Sequence, residues 1–228
     1  MKSVGFIRWN RCTAILRAPL AEISLNAAKG CRLKRKTIGI YAGSFDPVHA
    51  GHVAFGLRVL KVAKLDVVYF MPERNPRGKQ VEHYGHRVAM VSRALRPYKK
   101  MQVLETVQMR FAVRSTMVRL REQFPEASFV FLLGSDAAKT LPSWPHIEQL
   151  LAESELCVAL RKQDSKEEIM RLLQAIPVTP IKLWLIEGAE KEVSSSTIRT
   201  ALSANKWASG LLKSVYNYAR REWLYIRN

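Results

Sequence analysis

From residue 37 onward, short apolar runs alternate with longer stretches in which apolar residues return every three or four positions. The run 37–42 has the length and content of a buried strand. Val53, Leu57 and Leu60 then recur at helical spacing, which predicts a helix over 52–65. A second strand over 66–71 is stopped by Pro72, and Pro76 and Gly78 mark residues 73–82 as a polar loop. Val88, Met90, Val91 and Leu95 predict a helix over 83–95, with Pro97 beyond its end. A short strand over 101–104 and a helix over 113–124 follow, the latter closed by Pro125. The run 128–133 is the most apolar in the chain and reads as a central strand buried on both faces. Beyond it the pattern predicts a short helix over 147–151, a strand over 156–160, a helix over 166–176, a strand over 181–186, and helices over 194–204 and 211–223.

Strands and helices thus alternate about six times. The expected fold is α/β, a Rossmann-like doubly wound parallel sheet of about six strands with helices on both faces. In such sheets ligands bind beyond the carboxyl ends of the strands, where the strand order reverses. Four segments fall there: 43–52, 72–82, the Gly134-Ser135-Asp136 turn, and 187–199.

Composition adds one anomaly. Hydrophobic residues make up 48% and charged residues 25% of the 228, ordinary for a globular protein, but the formal net charge is +18. Part of the excess sits in residues 1–36, where nine Lys and Arg face Glu22 alone and no period is visible. This segment reads as a basic, disordered leader preceding a single folded domain over 37–228; a targeting peptide and an ordered basic arm are the alternatives. Phosphorylated ligands, nucleic acid and membrane surfaces all attract such charge. No apolar stretch approaches the roughly 18 residues of a membrane span. Cys12, Cys31 and Cys157 are scattered and odd in number. Neither a disulfide framework nor a cysteine zinc site is indicated, and the cytoplasm is the default compartment.

The segment Gly43-Ser44-Phe45-Asp46-Pro47-Val48-His49-Ala50-Gly51-His52 joins a strand to a helix start, where free backbone N–H groups and the helix dipole favour anions. It matches neither GxxxxGK[ST] nor GxGxxG. Gly43 allows close backbone approach, Asp46 supplies a carboxylate, and His49 and His52, three apart, share a helix face and can address one phosphate. Either histidine could instead be a structural hydrogen-bonder. A zinc pair is disfavoured because no Glu or third His stands nearby.

This segment resembles the GSFDP…HxGH signature of the nucleotidyltransferase α/β phosphodiesterase superfamily. Val193-Ser194-Ser195-Ser196-Thr197-Ile198-Arg199 is similar to that group's second signature, ISSTxxR, with Val for Ile and Ser196 for Thr. Gly134-Ser135-Asp136, Trp144 and the loop from Pro72 to Lys79 extend the likeness to the nicotinate (or nicotinamide) mononucleotide adenylyltransferases, over about residues 37–226. The resemblance implies transfer of AMP from ATP to a pyridine mononucleotide, with Mg²⁺ carried on ATP and no protein metal site. It implies that His49, His52 and Arg199 are catalytic. Gly43, Ser44, Phe45, Gly134, Asp136 and Ser194–Ser196 would join them in holding ATP. Ser44, Asp46, Lys79, Thr116 and Trp144 would hold the acceptor, Trp144 by stacking on the pyridine ring. Homo-oligomerisation stays open.

The chain departs from the family on the acceptor side. Ala112, in Arg110-Phe111-Ala112-Val113-Arg114-Ser115-Thr116, stands where a hydroxyl is expected, and the 72–79 loop is more charged than usual. A different acceptor, pantetheine phosphate or a flavin, is therefore the alternative within the superfamily. A basic nucleic-acid-binding protein with a degenerate site is the alternative outside it, although no RNA-binding aromatic motif or helix-turn-helix is apparent.

Overall fold

A computed structural model describes residues 4–7, 35–161, 163–187 and 193–226. Its strands are β1 (Val4–Ile7), β2 (Thr37–Gly43), β3 (Val67–Pro72), β4 (Met101–Val103), β5 (Ser128–Gly134), β6 (Ser154–Leu160) and β7 (Leu183–Glu187). The helices are α1 (Ala50–Val62), α2 (Tyr84–Leu95), α3 (Val113–Gln123), α4 (Ser135–Thr140), α5 (Ile147–Glu153), α6 (Lys166–Gln174), α7 (Ser195–Ser203) and α8 (Lys213–Arg221). Among the described residues no helix is long and apolar enough to cross a membrane.

The sheet order is β1-β7-β6-β5-β2-β3-β4. The six strands from β2 to β7 pair in parallel, and β1 pairs antiparallel with β7 at one edge. From β2 the chain winds outward through β3 and β4, then returns to β5 on the other side of β2 and winds outward again. The order therefore reverses between β2 and β5, and a crevice opens there at the carboxyl ends. Gly43 and Gly134 end these two neighbouring strands.

The side-chain period of two divides the core. Phe129, Phe131 and Leu133 of β5, Ile38 and Ile40 of β2, and Leu156 and Val158 of β6 pack with Met117 and Leu120 of α3, Leu150 of α5 and Ile169 of α6. Val130, Leu132, Tyr41 and Cys157 point the other way, against Val59 of α1, Met90 of α2, Ile198 of α7 and Val215 of α8. With both faces covered, the strands read as continuous apolar runs, which is why their pattern stood out.

Three elements depart from the expectations. Helix α1 starts at Ala50, so His49 is its N-cap and His52 its third residue; both histidines belong to the cap. Gly134-Ser135-Asp136, expected as a loop, opens α4 directly, with Gly134 as the N-cap. Within the segment read as a disordered leader, Val4–Ile7 form β1. Residues 1–3 and 8–34 of that leader lie outside the described residues.

Candidate active site

The crevice between β2 and β5 is floored by the 43–52 segment. Phe45 holds φ at 47°, a backbone region that ordinarily favours glycine, and its ring is buried where packing holds the turn. The ring lies edge-on to His52 with centroids 5.2 Å apart and edge-on to Tyr41 at 5.3 Å. His52 thus leans on an aromatic bed. His49 stacks on it, with centroids 3.7 Å apart and planes 30° from parallel. Gly51 makes this possible: a Cβ there would meet the His49 ring at 3.1 Å, tighter than ordinary packing.

The stacked pair is electrically neutral at physiological pH. Burial lowers the His49 pKa to about 4. Burial also drives His52 well below its usual value, with His49 and the Lys79 ammonium adding repulsion. The His49 backbone N–H donates to Nδ1 of His52 at 3.2 Å. A neutral His52 whose Nδ1 accepts must carry its proton on Nε2, leaving Nε2–H as its donor. Nδ1 of His49 is buried without a hydrogen-bond partner.

Helix α7 supplies the facing wall. Ser194 is its N-cap, the hydroxyl accepting from the Thr197 N–H at 3.1 Å. Ser195 Oγ donates to the Pro47 carbonyl at 3.0 Å, and Arg199 Nη1 donates to the Asp46 carbonyl at 2.7 Å. The Ala50 N–H donates to the Gly210 carbonyl, just past α7. The two sequence signatures are therefore bonded to one another. Ser196 stays exposed at the helix start, and the Arg199 guanidinium remains partly open to solvent.

The remaining predicted residues separate into two groups. Gly43, Ser44 and Gly134 lie at the crevice, and a side chain added at Gly134 would meet nothing within 4 Å, so there is open space above it. Lys79 is exposed on the 73–82 loop, near enough to depress His52. Asp136 is exposed and ion-paired with Arg161 at 2.7 Å. Trp144 packs beside Phe111, with centroids 5.4 Å apart, and its Nε1 donates to Thr140 Oγ1 at 2.9 Å.

Two expected acceptor ligands are instead turned inward. The Asp46 side chain is only 2% exposed; its Oδ1 accepts from the Tyr225 hydroxyl at 2.7 Å and the Glu82 N–H at 3.3 Å. Thr116 is equally buried and donates to Gln108 Oε1 at 3.1 Å. Thr116 and the Oδ1 of Asp46 thus already have partners within the protein, while Oδ2 of Asp46 is buried without one.

Sequence reasoning missed Arg87, Tyr225 and Arg161. Arg87 had a visible signal, since it occupies the buried stripe of α2 together with Met90, Val91 and Ala94. A charge on an apolar stripe needs buried partners. Tyr225 and Arg161 carried no such mark, because their partners are distant in the chain.

Comparisons with known proteins bear on the family and the fold. The cytidylyltransferase-like family pattern matches residues 40–201. The nicotinate-nucleotide adenylyltransferase of Bacillus subtilis is 31% identical over 198 residues, 83% of this chain and 98% of that protein. The chain belongs to the nicotinate-nucleotide adenylyltransferase family. A further member, the probable nicotinate-nucleotide adenylyltransferase of Halalkalibacterium halodurans, is 31% identical over 85% of this chain and 93% of its own. The fold is shared with the solved structure of the Plasmodium falciparum nicotinic acid mononucleotide adenylyltransferase in complex with NaAD. There the TM-score is 0.70 at 21% identity, covering 84% of this chain and 98% of that one. In this chain the family's two signatures are the segments that Ser195 and Arg199 bond together.

Proposed function

We propose that this protein transfers AMP from ATP to nicotinate mononucleotide, forming deamido-NAD and pyrophosphate. The observation that carries the reading is the stacked, neutral His49–His52 pair at the start of α1, bonded through Pro47 and Asp46 to the N-terminal turn of α7. A 5′-phosphate oxygen of the acceptor attacks the α-phosphorus of ATP. The bond from that phosphorus to the bridging oxygen breaks, and pyrophosphate leaves with the bond's electron pair. The attacking phosphate is already an anion near neutral pH, so no general base is needed. What the chain supplies is alignment and charge stabilisation.

In this reading Nε2–H of His52, together with the His49 ring, donates to the α-phosphate as charge builds on it. The open N–H groups of α7, the Ser196 hydroxyl and Arg199 receive the β- and γ-phosphates. The space above Gly134 admits the nucleotide backbone, and Asp136 meets a ribose. Trp144 and Lys79 address the acceptor. Mg²⁺ arrives on ATP as part of the substrate. Among the described residues no group of three or more metal-ligating side chains stands together. Asp46 Oδ2 is a buried oxygen without a hydrogen-bond partner, 3.8 Å from Arg199 Nη1.

The test is a panel of acceptors incubated with ATP and Mg²⁺, read by pyrophosphate release. Nicotinate mononucleotide is expected to be used best. Absence of release with either pyridine mononucleotide, alongside release with pantetheine phosphate or a flavin, would replace this reading with the superfamily alternative.

A further inference from the structure

We propose that Arg87 is a positioning residue for adenylyl transfer: its guanidinium ties the phosphate-binding segment to the acceptor loop and sets the distance between the two substrates. The inference rests on the reaction read above.

Arg87 is 0% exposed. A lone buried charge is costly, and it persists only where good geometry answers it. Here the answer is three backbone carbonyls. Nη1 donates to Ser44 O at 2.7 Å, Nη2 to Arg74 O at 2.9 Å and Nε to Glu82 O at 2.8 Å. Ser44 belongs to the segment that ends in the two histidines. Arg74 and Glu82 are the shoulders of the loop that carries Lys79. One rigid, planar group therefore spans the ATP side and both ends of the acceptor loop. Lysine, with a single flexible ammonium, cannot reproduce that fork.

The surroundings fix Arg87 further. Tyr84 flanks it, the guanidinium carbon lying 5.8 Å from the ring centroid, and the Arg74 guanidinium sits over the same ring at 4.1 Å. The buried Asp46 carboxylate provides the nearby negative charge and is itself held by the Tyr225 hydroxyl. Tyr225 also donates its backbone N–H to Glu82 Oε1 at 3.4 Å, so the end of the chain braces the same junction. None of these groups needs to touch substrate. Their effect passes through the position of Ser44, and hence of His49 and His52, relative to Lys79.

The experiment begins with wild-type enzyme, ATP and nicotinate mononucleotide, so that a failure of the reaction itself is seen first and separately. Arg87→Met and Arg87→Lys are then compared at a temperature well below their melting points. We expect folded protein with kcat reduced on the order of 10²-fold, as a displacement of about 1 Å can produce. The acceptor KM should rise, and amide exchange in residues 73–82 should be faster; the lysine variant should recover little. A lower melting point with unchanged kcat and acceptor KM would overturn the proposal, leaving Arg87 a purely structural residue. Should either variant fail to fold, wild-type hydrogen exchange decides. ATP alone should slow exchange at Arg74 and Asn75 through the Ser44 link, and no change there overturns the proposal.

Discussion

The two sides of the crevice are built differently. On the proposed ATP side, the histidine pair, Ser195 and Arg199 are fixed by bonds to backbone within or between the 43–52 and 193–199 segments. On the proposed acceptor side, Lys79 rides on a loop and Trp144 lies against one other aromatic ring. The phosphate site is thus a matter of main-chain geometry under burial, whereas the acceptor site is an assembly of side chains from separate loops. The first arrangement tolerates little change in sequence. The second leaves more room for change, and it is the side on which the sequence resemblance weakens, at Ala112 and the charged 72–79 loop.

Substitutions on the two sides should therefore differ in size and kind. The largest effect is expected from His52→Ala, which removes the donor proposed for the α-phosphate. Turnover should fall at least ~10²-fold in a steady-state pyrophosphate assay; near-wild-type turnover would break the comparison at its strong side.

Next comes pH. The folded site holds His49 neutral with a pKa of about 4, while in the unfolded chain it takes up a proton near the ordinary 6.5. Its contribution to stability is then fully present above about 6.5 and is lost as pH falls toward about 4. His52 acts with the same sign. Melting curves between these limits should show a decline on the order of a few kcal/mol, and His49→Gln should flatten it. A wild-type curve that does not fall in this window would mean the pair is not neutral.

Trp144→Ala should raise the acceptor KM about 10-fold, in line with the loss of one stacked ring, and leave the ATP KM nearly unchanged. An equal rise for both substrates would erase the division between the sides. Asp136→Asn should have the smallest effect. It should leave the melting point almost unmoved, because an exposed ion pair contributes about 0–1 kcal/mol, and should shift substrate KM only a few-fold.

The same contrast explains what could be read from the sequence. The six parallel strands were visible because burial on both faces made them apolar throughout, and the 43–52 segment because the stacked histidines need Gly51 beside His49. Helix α4 was missed because Ser135–Thr140 is one short, largely polar stretch with too few turns to show a period. β1 was missed because four residues in an arginine-rich segment carry no signal of their own; they become a strand only by pairing with β7. The burial of Asp46 was hidden for a related reason. Its partner Tyr225 lies 179 residues away, and nothing local tells whether a carboxylate in a loop faces a ligand or the interior.

Val4–Ile7 give the basic leader a consequence beyond its charge. They cover the outer backbone of Leu183–Glu187, a strand whose Leu183, Trp184, Leu185 and Ile186 are all buried. Trimming the chain to begin at residue 37 would bare a row of unpaired N–H and C=O groups on an apolar ribbon. Such a ribbon is a template for strand exchange between molecules, so a shortened protein would meet self-association before it met any loss of catalysis.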